Sequence, residues 1–283
     1  MFEICKYWID VCKRPAGDTA DLCPIESNEM VTTKKIALVT GGSRGLGKDM
    51  VLSLGSKGFD VILTYKSQEE EALKVVASLA EIGQKAVALP LDTGNVSGFE
   101  GFFHTLKETL ESSFHALGID ALINNAGIGD VAPFAETTEA QFDRLMNVNF
   151  KGVFFLTQKL LPLLNDGGRI INLSSGLARF CMPGFSAYAA MKSAIETLTR
   201  YQAKELGPRG IRVNVLAPGA IETDFGGGFV RDNPQANQAI AGTTALGRVG
   251  LPGDIGGVAA FLCTEEAGWI NAQRIEVSGG VNL

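Results

Sequence analysis

Lys34-Lys35-Ile36-Ala37-Leu38-Val39-Thr40-Gly41-Gly42-Ser43-Arg44-Gly45-Leu46-Gly47 is the stretch that decides the fold. A short apolar run ends in a glycine-rich turn, and an amphipathic segment follows at once. Strand, tight turn and helix in that order open a βαβ unit. Gly41 permits the tight turn, Gly45 lets the backbone approach a pyrophosphate, and Gly47 permits close helix–strand packing. The helix amino terminus then offers unpaired N–H groups and a partial positive charge to an anion. The same residues copy most of a P-loop, from Gly42 to Gly47-Lys48. That motif continues with Ser or Thr to hold magnesium, and this chain has Asp49. A carboxylate cannot replace the hydroxyl and repels a triphosphate, so an ATPase or GTPase ranks behind dinucleotide binding.

The rhythm set by this unit continues outward. Strand candidates are 35–40, 60–65, 85–91, 119–123, 169–173, 211–216 and 274–277. Amphipathic segments lie between them at roughly 44–57, 68–82, 98–116, 139–164, 186–206 and 252–264. Short apolar strands alternating with helices predict one α/β, doubly wound, Rossmann-type domain with a parallel seven-stranded sheet. It is expected to span 33–283. Residues 1–32 differ: they hold three of the five cysteines, several acids and no sustained periodicity. They are expected to form a loosely ordered extension, with Met30 an alternative start. Glycine-rich 219–228 is the candidate mobile loop.

Composition narrows the function. The chain is 46% hydrophobic and 20% charged, which argues against widespread disorder. A net charge of −6 makes nucleic acid an improbable partner. No apolar run reaches the ~20 residues of a spanning helix, so no membrane partner is expected. The start Met1-Phe2-Glu3 lacks the basic and apolar regions of a secretory signal. Five irregularly spaced cysteines argue against a disulfide framework and for a reducing cytoplasm. His104 and His115 are the only histidines and have no ligand-spaced neighbours, so no metal is expected. No Gly-x-Ser-x-Gly elbow accompanies them.

The end of the second strand reads on the cofactor. An acid there would bind the adenosine ribose diol and select NAD. The chain has Thr64-Tyr65-Lys66-Ser67 instead. Lys66, with Arg44 and Ser67, suits a 2′-phosphate, which points to NADP over NAD. Catalytic candidates gather at the same sheet edge. Tyr188-Ala-Ala-Met-Lys192 places its phenol and ammonium on one helix face. A phenol has a pKa of about 10, and a neighbouring ammonium lowers it. Ser174-Ser175 ends the fifth strand, Asn124-Asn125-Ala126-Gly127 the fourth, and Pro218-Gly219 follows the sixth. Asn149-Phe150-Lys151-Gly152 falls within a helix.

With these motifs in order and Ser175 thirteen positions before Tyr188, the sequence resembles the short-chain dehydrogenase/reductase family from about Lys34 to the end. Gly247-Arg248-Val249-Gly250-x-Pro252 and Val277-Ser278-Gly279-Gly280 also look familial, although Ser278 stands where an acid is usual. The resemblance implies an oxidoreductase moving hydride between NADP(H) and a carbonyl or alcohol. Tyr188 would be its general acid, Ser175 would bond the carbonyl oxygen, Lys192 would lower the tyrosine pKa and bind the nicotinamide ribose, and Asn149 would hold a relay water. Spacing to Tyr188 selects Ser175 over Ser174. Gly41, Ser43, Arg44, Gly45, Leu46, Gly47, Tyr65, Lys66, Ser67, Asn125, Ala126, Gly127, Tyr188, Lys192, Pro218 and Gly219 would line the cofactor cleft. Asp92-Thr93 would face adenine, and Ile221 and Thr223 the nicotinamide end. A homotetramer is implied as well.

Leu177 to Ala187 and Ala220 to Asp232 should shape the substrate pocket. Leu177, Phe185 and Phe225, with Ser175 and Tyr188, suit a small apolar carbonyl compound. The nearest-looking subgroup is the 3-oxoacyl-carrier-protein reductases, which dock an acidic carrier through arginines. Arg209 matches one; the other falls at Asp166, whose charge would repel such a carrier. A non-catalytic dinucleotide sensor on the same fold is the alternative of another class.

Overall fold

Ile36–Val39 form strand β1, and all four residues are buried. In the computed structural model, which describes residues 34–283, this strand lies third in one seven-stranded parallel sheet. The expected extension over 1–32 lies outside the described residues. The other strands are β2 (Asp60–Tyr65), β3 (Ala86–Pro90), β4 (Ile119–Asn124), β5 (Leu164–Leu173), β6 (Arg212–Pro218) and β7 (Arg274–Val277), in the order β3-β2-β1-β4-β5-β6-β7. The order reverses between β1 and β4, so a crevice opens beyond their carboxyl ends.

Strand alternation feeds two cores. Ala37 and Val39 of β1, with Val61 and Leu63 of β2, face helices α1 (Gly45–Ser56), α2 (Glu69–Glu81) and α9 (Gly256–Cys263). Ile36, Leu38 and Ile62 point the other way, onto α3 (Phe99–Thr109), α5 (Gly152–Leu160) and α6 (Ser186–Leu206). Each fully buried Leu, Ile or Val contributes roughly 1.5–3 kcal/mol. Helices on both faces explain why the strands read as continuous apolar runs.

Several boundaries depart from the sequence pattern. The 139–164 segment is α4 (Glu139–Met146), a π turn over Asn147–Lys151, then α5. Strand β5 begins at Leu164, earlier than expected, and its register against β4 shifts between Ile119 and Ala121. Two helices had not been anticipated: α7 (Phe229–Asp232) and α8 (Pro234–Gly242). Helix α8 buries no residue, so it has no apolar stripe to read. Its local signals were present: Asn233 caps Ala236 N–H, and Pro234 stands in the first turn. Among the described residues, no helix is long and apolar enough to cross a membrane.

Candidate active site

The turn after β1 is built by its neighbours. Gly41 has φ +66°, a left-handed conformation that suits glycine. Its N–H donates to Thr64 Oγ1 at 3.2 Å, and Gly42 N–H donates to the Thr64 carbonyl. A Cβ on Gly47 would lie 2.1 Å from the Gly41 carbonyl oxygen and 2.6 Å from Asn125 Nδ2. Gly47 therefore fits the turn and the β4 loop as well as the helix. Arg44 occupies the N-cap position of α1 but caps nothing with its side chain, and the first turn carries no acid. Among the described residues, the leading N–H groups of this twelve-residue helix thus meet no side-chain acceptor. This donor set fits the pyrophosphate of a dinucleotide. Asp49, the residue that spoils the P-loop pattern, accepts the Gly256 N–H at 2.6 Å and so caps α9.

Thr40 ties this turn to the β4 loop, a role the sequence did not signal. Its hydroxyl accepts the N–H groups of Asn125 and Ala126, both at 3.0 Å. Asn125 returns its amide to the carbonyls of Thr40 and Gly41. The Cβ position of Gly127 lies 2.9 Å from Asn149 Oδ1 and 3.6 Å from Lys192 Nζ. Turn, β4 loop and α6 therefore meet around one cleft. Thr223, from the loop after β6, closes over Gly45 at 3.6 Å from that glycine's Cβ position.

The structure brings Ser175, Tyr188, Lys192 and Asn149 together at this edge. Tyr188 and Lys192, one helical turn apart on α6, are both buried. The Ser175 hydroxyl accepts the Leu177 N–H at 3.2 Å and is within hydrogen-bonding reach of Tyr188. Ser174 is spent elsewhere: its hydroxyl donates to Glu196 Oε1 at 2.7 Å. Lys192 Nζ donates to the Leu173 carbonyl at 2.8 Å and lies 5.7 Å from the Tyr188 ring centroid. Burial pushes the phenol up to about 12, with the Ser175 hydroxyl opposing, and pushes the Lys192 ammonium down to about 8. The lysine was expected to lower the tyrosine; here desolvation dominates both groups. Asn149 is bonded to the β4 loop. Its amide donates to the Ile128 carbonyl at 3.0 Å and accepts the Ile128 N–H at 3.1 Å. These two bonds tie Asn149 to the β4 loop and leave its second amide N–H and second oxygen lone pair for another partner. The π turn is what aims this fully buried residue inward.

At the far end of the cleft, Lys66 follows β2 directly and pairs with Asp92 at 2.8 Å. Tyr65 packs half-buried against the core, while Ser67 is exposed. Arg44 Nη1 lies 3.6 Å from Asp224. A shallow cavity of about 330 Å³ opens beside Lys66, Asp92 and Asn147, where adenine was expected. Thr93 is buried.

A family model described as enoyl-(acyl carrier protein) reductase matches residues 41–282. The short chain dehydrogenase mdpC of Emericella nidulans is 36% identical over 256 residues, covering 87% of this chain and 94% of that protein. This chain belongs to the short-chain dehydrogenase/reductase family. The hydroxynaphthalene reductase-like protein Arp2 of Metarhizium robertsii is 36% identical over 259 residues, covering 88% of this chain and 95% of that protein. Among solved structures, the angucycline C-6 ketoreductase LanV with bound NADP superposes with a TM-score of 0.83 at 35% identity, covering 88% of this chain and 95% of that one.

In this short-chain dehydrogenase/reductase, the space over the catalytic edge is aromatic. Phe185 packs edge-on against Tyr188 at 6.5 Å between centroids, and Phe225 tilts over the same ring at 5.9 Å. Leu177 and Ile221 are partly buried nearby in sequence to Ser175 and Thr223. Phe225 belongs to the glycine-rich loop and rests against Gly129, where a Cβ would lie 2.7 Å from its ring. Gly226, Gly227 and Gly228 follow, all with positive φ. Gly219 N–H continues the β6–β7 ladder to the Val277 carbonyl, just after Pro218 ends β6. Arg209, the arginine matched to carrier docking, donates to Asp166 at 2.7 Å and to the Leu161 and Leu164 carbonyls. Ser278, which stands where the family usually has an acid, donates to Glu276 at 2.9 Å.

Proposed function

We propose that this chain is an NADPH-dependent ketone reductase whose substrate is a flat, fused-ring carbonyl compound. The observation that carries the proposal is the buried Tyr188 phenol, held beside Ser175 and Lys192 at the sheet edge where the glycine turn opens. In reduction, the bound nicotinamide supplies the hydride. Ser175 and Tyr188 bond the carbonyl oxygen, and Tyr188 protonates it as charge develops. Such a proton donor is worth about 10²–10⁴ in rate. Burial keeps the phenol protonated at neutral pH, the form that donates in reduction. Lys192, at about 8, stays largely charged there and is placed to hold the nicotinamide ribose. Gly41, Ser43, Gly45, Leu46 and Gly47 would hold the pyrophosphate; Asn125, Ala126, Gly127, Pro218, Gly219, Ile221 and Thr223 would line the rest of the cleft.

NADP over NAD follows from Lys66 and Arg44. Each is paired with a carboxylate in an exposed bridge, and such bridges are worth only ~0–1 kcal/mol. A phosphate dianion displaces these partners at little cost. The bound NADP in LanV supports the same choice. The substrate class rests on the Phe185–Tyr188–Phe225 surface, and on relatives named as hydroxynaphthalene reductase-like and as an angucycline ketoreductase. Carrier-bound acyl chains fit less well, because Arg209 is already held by Asp166. A sensor has no use for a proton donor buried beside a lysine.

The test is a panel of a bicyclic hydroxynaphthalenone-type ketone, a 3-oxoacyl thioester and an enoyl thioester, followed at the NADPH absorbance band with NADH in parallel. The fused-ring ketone should lead in kcat/KM by about tenfold or more, the discrimination an apolar pocket supplies. Faster turnover of either thioester would overturn the substrate class. Preference for NADH would overturn the cofactor.

A further inference from the structure

Behind the catalytic serine runs a ladder of alternating charges. Ser174 Oγ donates to Glu196 Oε1, and the same oxygen accepts Arg274 Nε, both at 2.7 Å. Arg274 Nη1 donates to Glu276 Oε2 at 2.7 Å, and Arg274 Nη2 reaches the Ser175 carbonyl at 3.3 Å. Arg179 then grips Glu276 with two bonds of 2.8 and 2.9 Å, and donates to the carbonyls of Val281 and Asn282. Two arginines and two glutamates balance in charge, and all four are at least partly shielded from solvent.

The ladder reaches Ser175 from both sides. Glu196 holds the side chain of the residue before it, and Arg274 holds its own carbonyl. Glu196 also stands one helical turn beyond Lys192 on α6, so the ladder ties the serine segment to the helix carrying Tyr188 and Lys192. One guanidinium serves three acceptors here, a task that needs its planar fork and that a lysine ammonium cannot perform. The ladder bonds the Ser174 side chain and the Ser175 carbonyl, so its members are placed to act through Ser175.

We infer that Arg274 and Glu196 are positioning residues that fix the Ser175 hydroxyl relative to Tyr188, with Glu276 and Arg179 anchoring them to β7 and the C-terminal segment. The inference rests on the assignment of Ser175 made under the proposed function. It predicts that the ladder contributes to turnover only while Ser175 has a hydroxyl to place.

The experiment is a double-mutant cycle in the full-length chain, combining Arg274→Lys with Ser175→Ala. Single-turnover ketone reduction, NADPH affinity and melting temperature are read for all four proteins. Arg274→Lys alone should slow reduction by about 10- to 100-fold, the loss expected of a misplaced group, while NADPH affinity holds. In the Ser175→Ala background it should slow reduction no further. An equal loss in both backgrounds, or none in either, overturns the positioning role. Unchanged activity in Ser175→Ala alone overturns the assignment beneath it. If Arg274→Lys does not fold, Glu196→Gln, which keeps an acceptor for Ser174 but loses the charge, runs the same cycle with the same readings.

Discussion

Gly47→Ala should damage cofactor binding more than its size suggests. The added Cβ would sit 2.1 Å from the Gly41 carbonyl oxygen, against a practical minimum of 3.0 Å. Backbone, not a pliable side chain, stands in the way, so the turn must open by about 0.9 Å. That movement strains the 3.1 Å bond from Asn125 to the Gly41 carbonyl. A lost hydrogen bond costs about 1 kcal/mol, and overpacking about 1–3. The gain from alanine in a helix returns up to about 1 kcal/mol. The net loss, roughly 1–3 kcal/mol, corresponds to roughly 3–10 °C in melting temperature for a domain this size. The displaced turn is the one offered to the pyrophosphate, so NADPH affinity should fall by about tenfold or more. Gly101→Ala is the control: it lies in α3, an added Cβ would meet nothing within 4 Å, and its melting temperature should rise slightly. NADPH fluorescence titration and thermal melts read both. Wild-type affinity and stability in Gly47→Ala would refute the close approach of turn and helix.

Two further outcomes follow from charges. Lys66→Asp should lower the NADPH-to-NADH ratio of kcat/KM by at least about tenfold, since a charged hydrogen bond of ~1.5–3 kcal/mol is removed; steady-state kinetics with both cofactors decide, and an unchanged ratio would make Lys66 a partner of Asp92 only. Asp254, Glu265 and Glu276 are each held down to about 2, by Arg248, by Lys35 with Arg169, and by Arg179. Their pKa values are depressed in the fold, so their stabilisation is complete above the ordinary carboxylate range and drains as pH falls toward about 2. Thermal melts taken from pH about 5 to about 3 should fall steeply, and less steeply in Glu276→Gln; identical slopes would remove Glu276 from the account.

Much of this is legible in the sequence. β1 was readable because both its faces are buried, which makes four consecutive residues apolar. The Tyr188–Lys192 spacing was readable because the helical period is local. Spacing to Tyr188 selects Ser175, and the Ser174 hydroxyl is bonded to Glu196. What escaped the sequence was non-local. Arg274 meets Glu196 across 78 positions, and Thr40 meets Ala126 across 86, and no periodicity marks either contact. The upward shift of the Tyr188 phenol is hidden from the sequence for a related reason. The nearby lysine is visible in the sequence, whereas the depth of burial that raises the phenol is not.

The central claim is that Tyr188 donates the proton. Its most direct test is Tyr188→Phe, which keeps the ring that packs between Phe185 and Phe225 and removes only the hydroxyl. Single-turnover reduction with saturating NADPH should slow by about 10²–10⁴, while NADPH binds as in the wild type. Undiminished reduction in that variant would contradict the account.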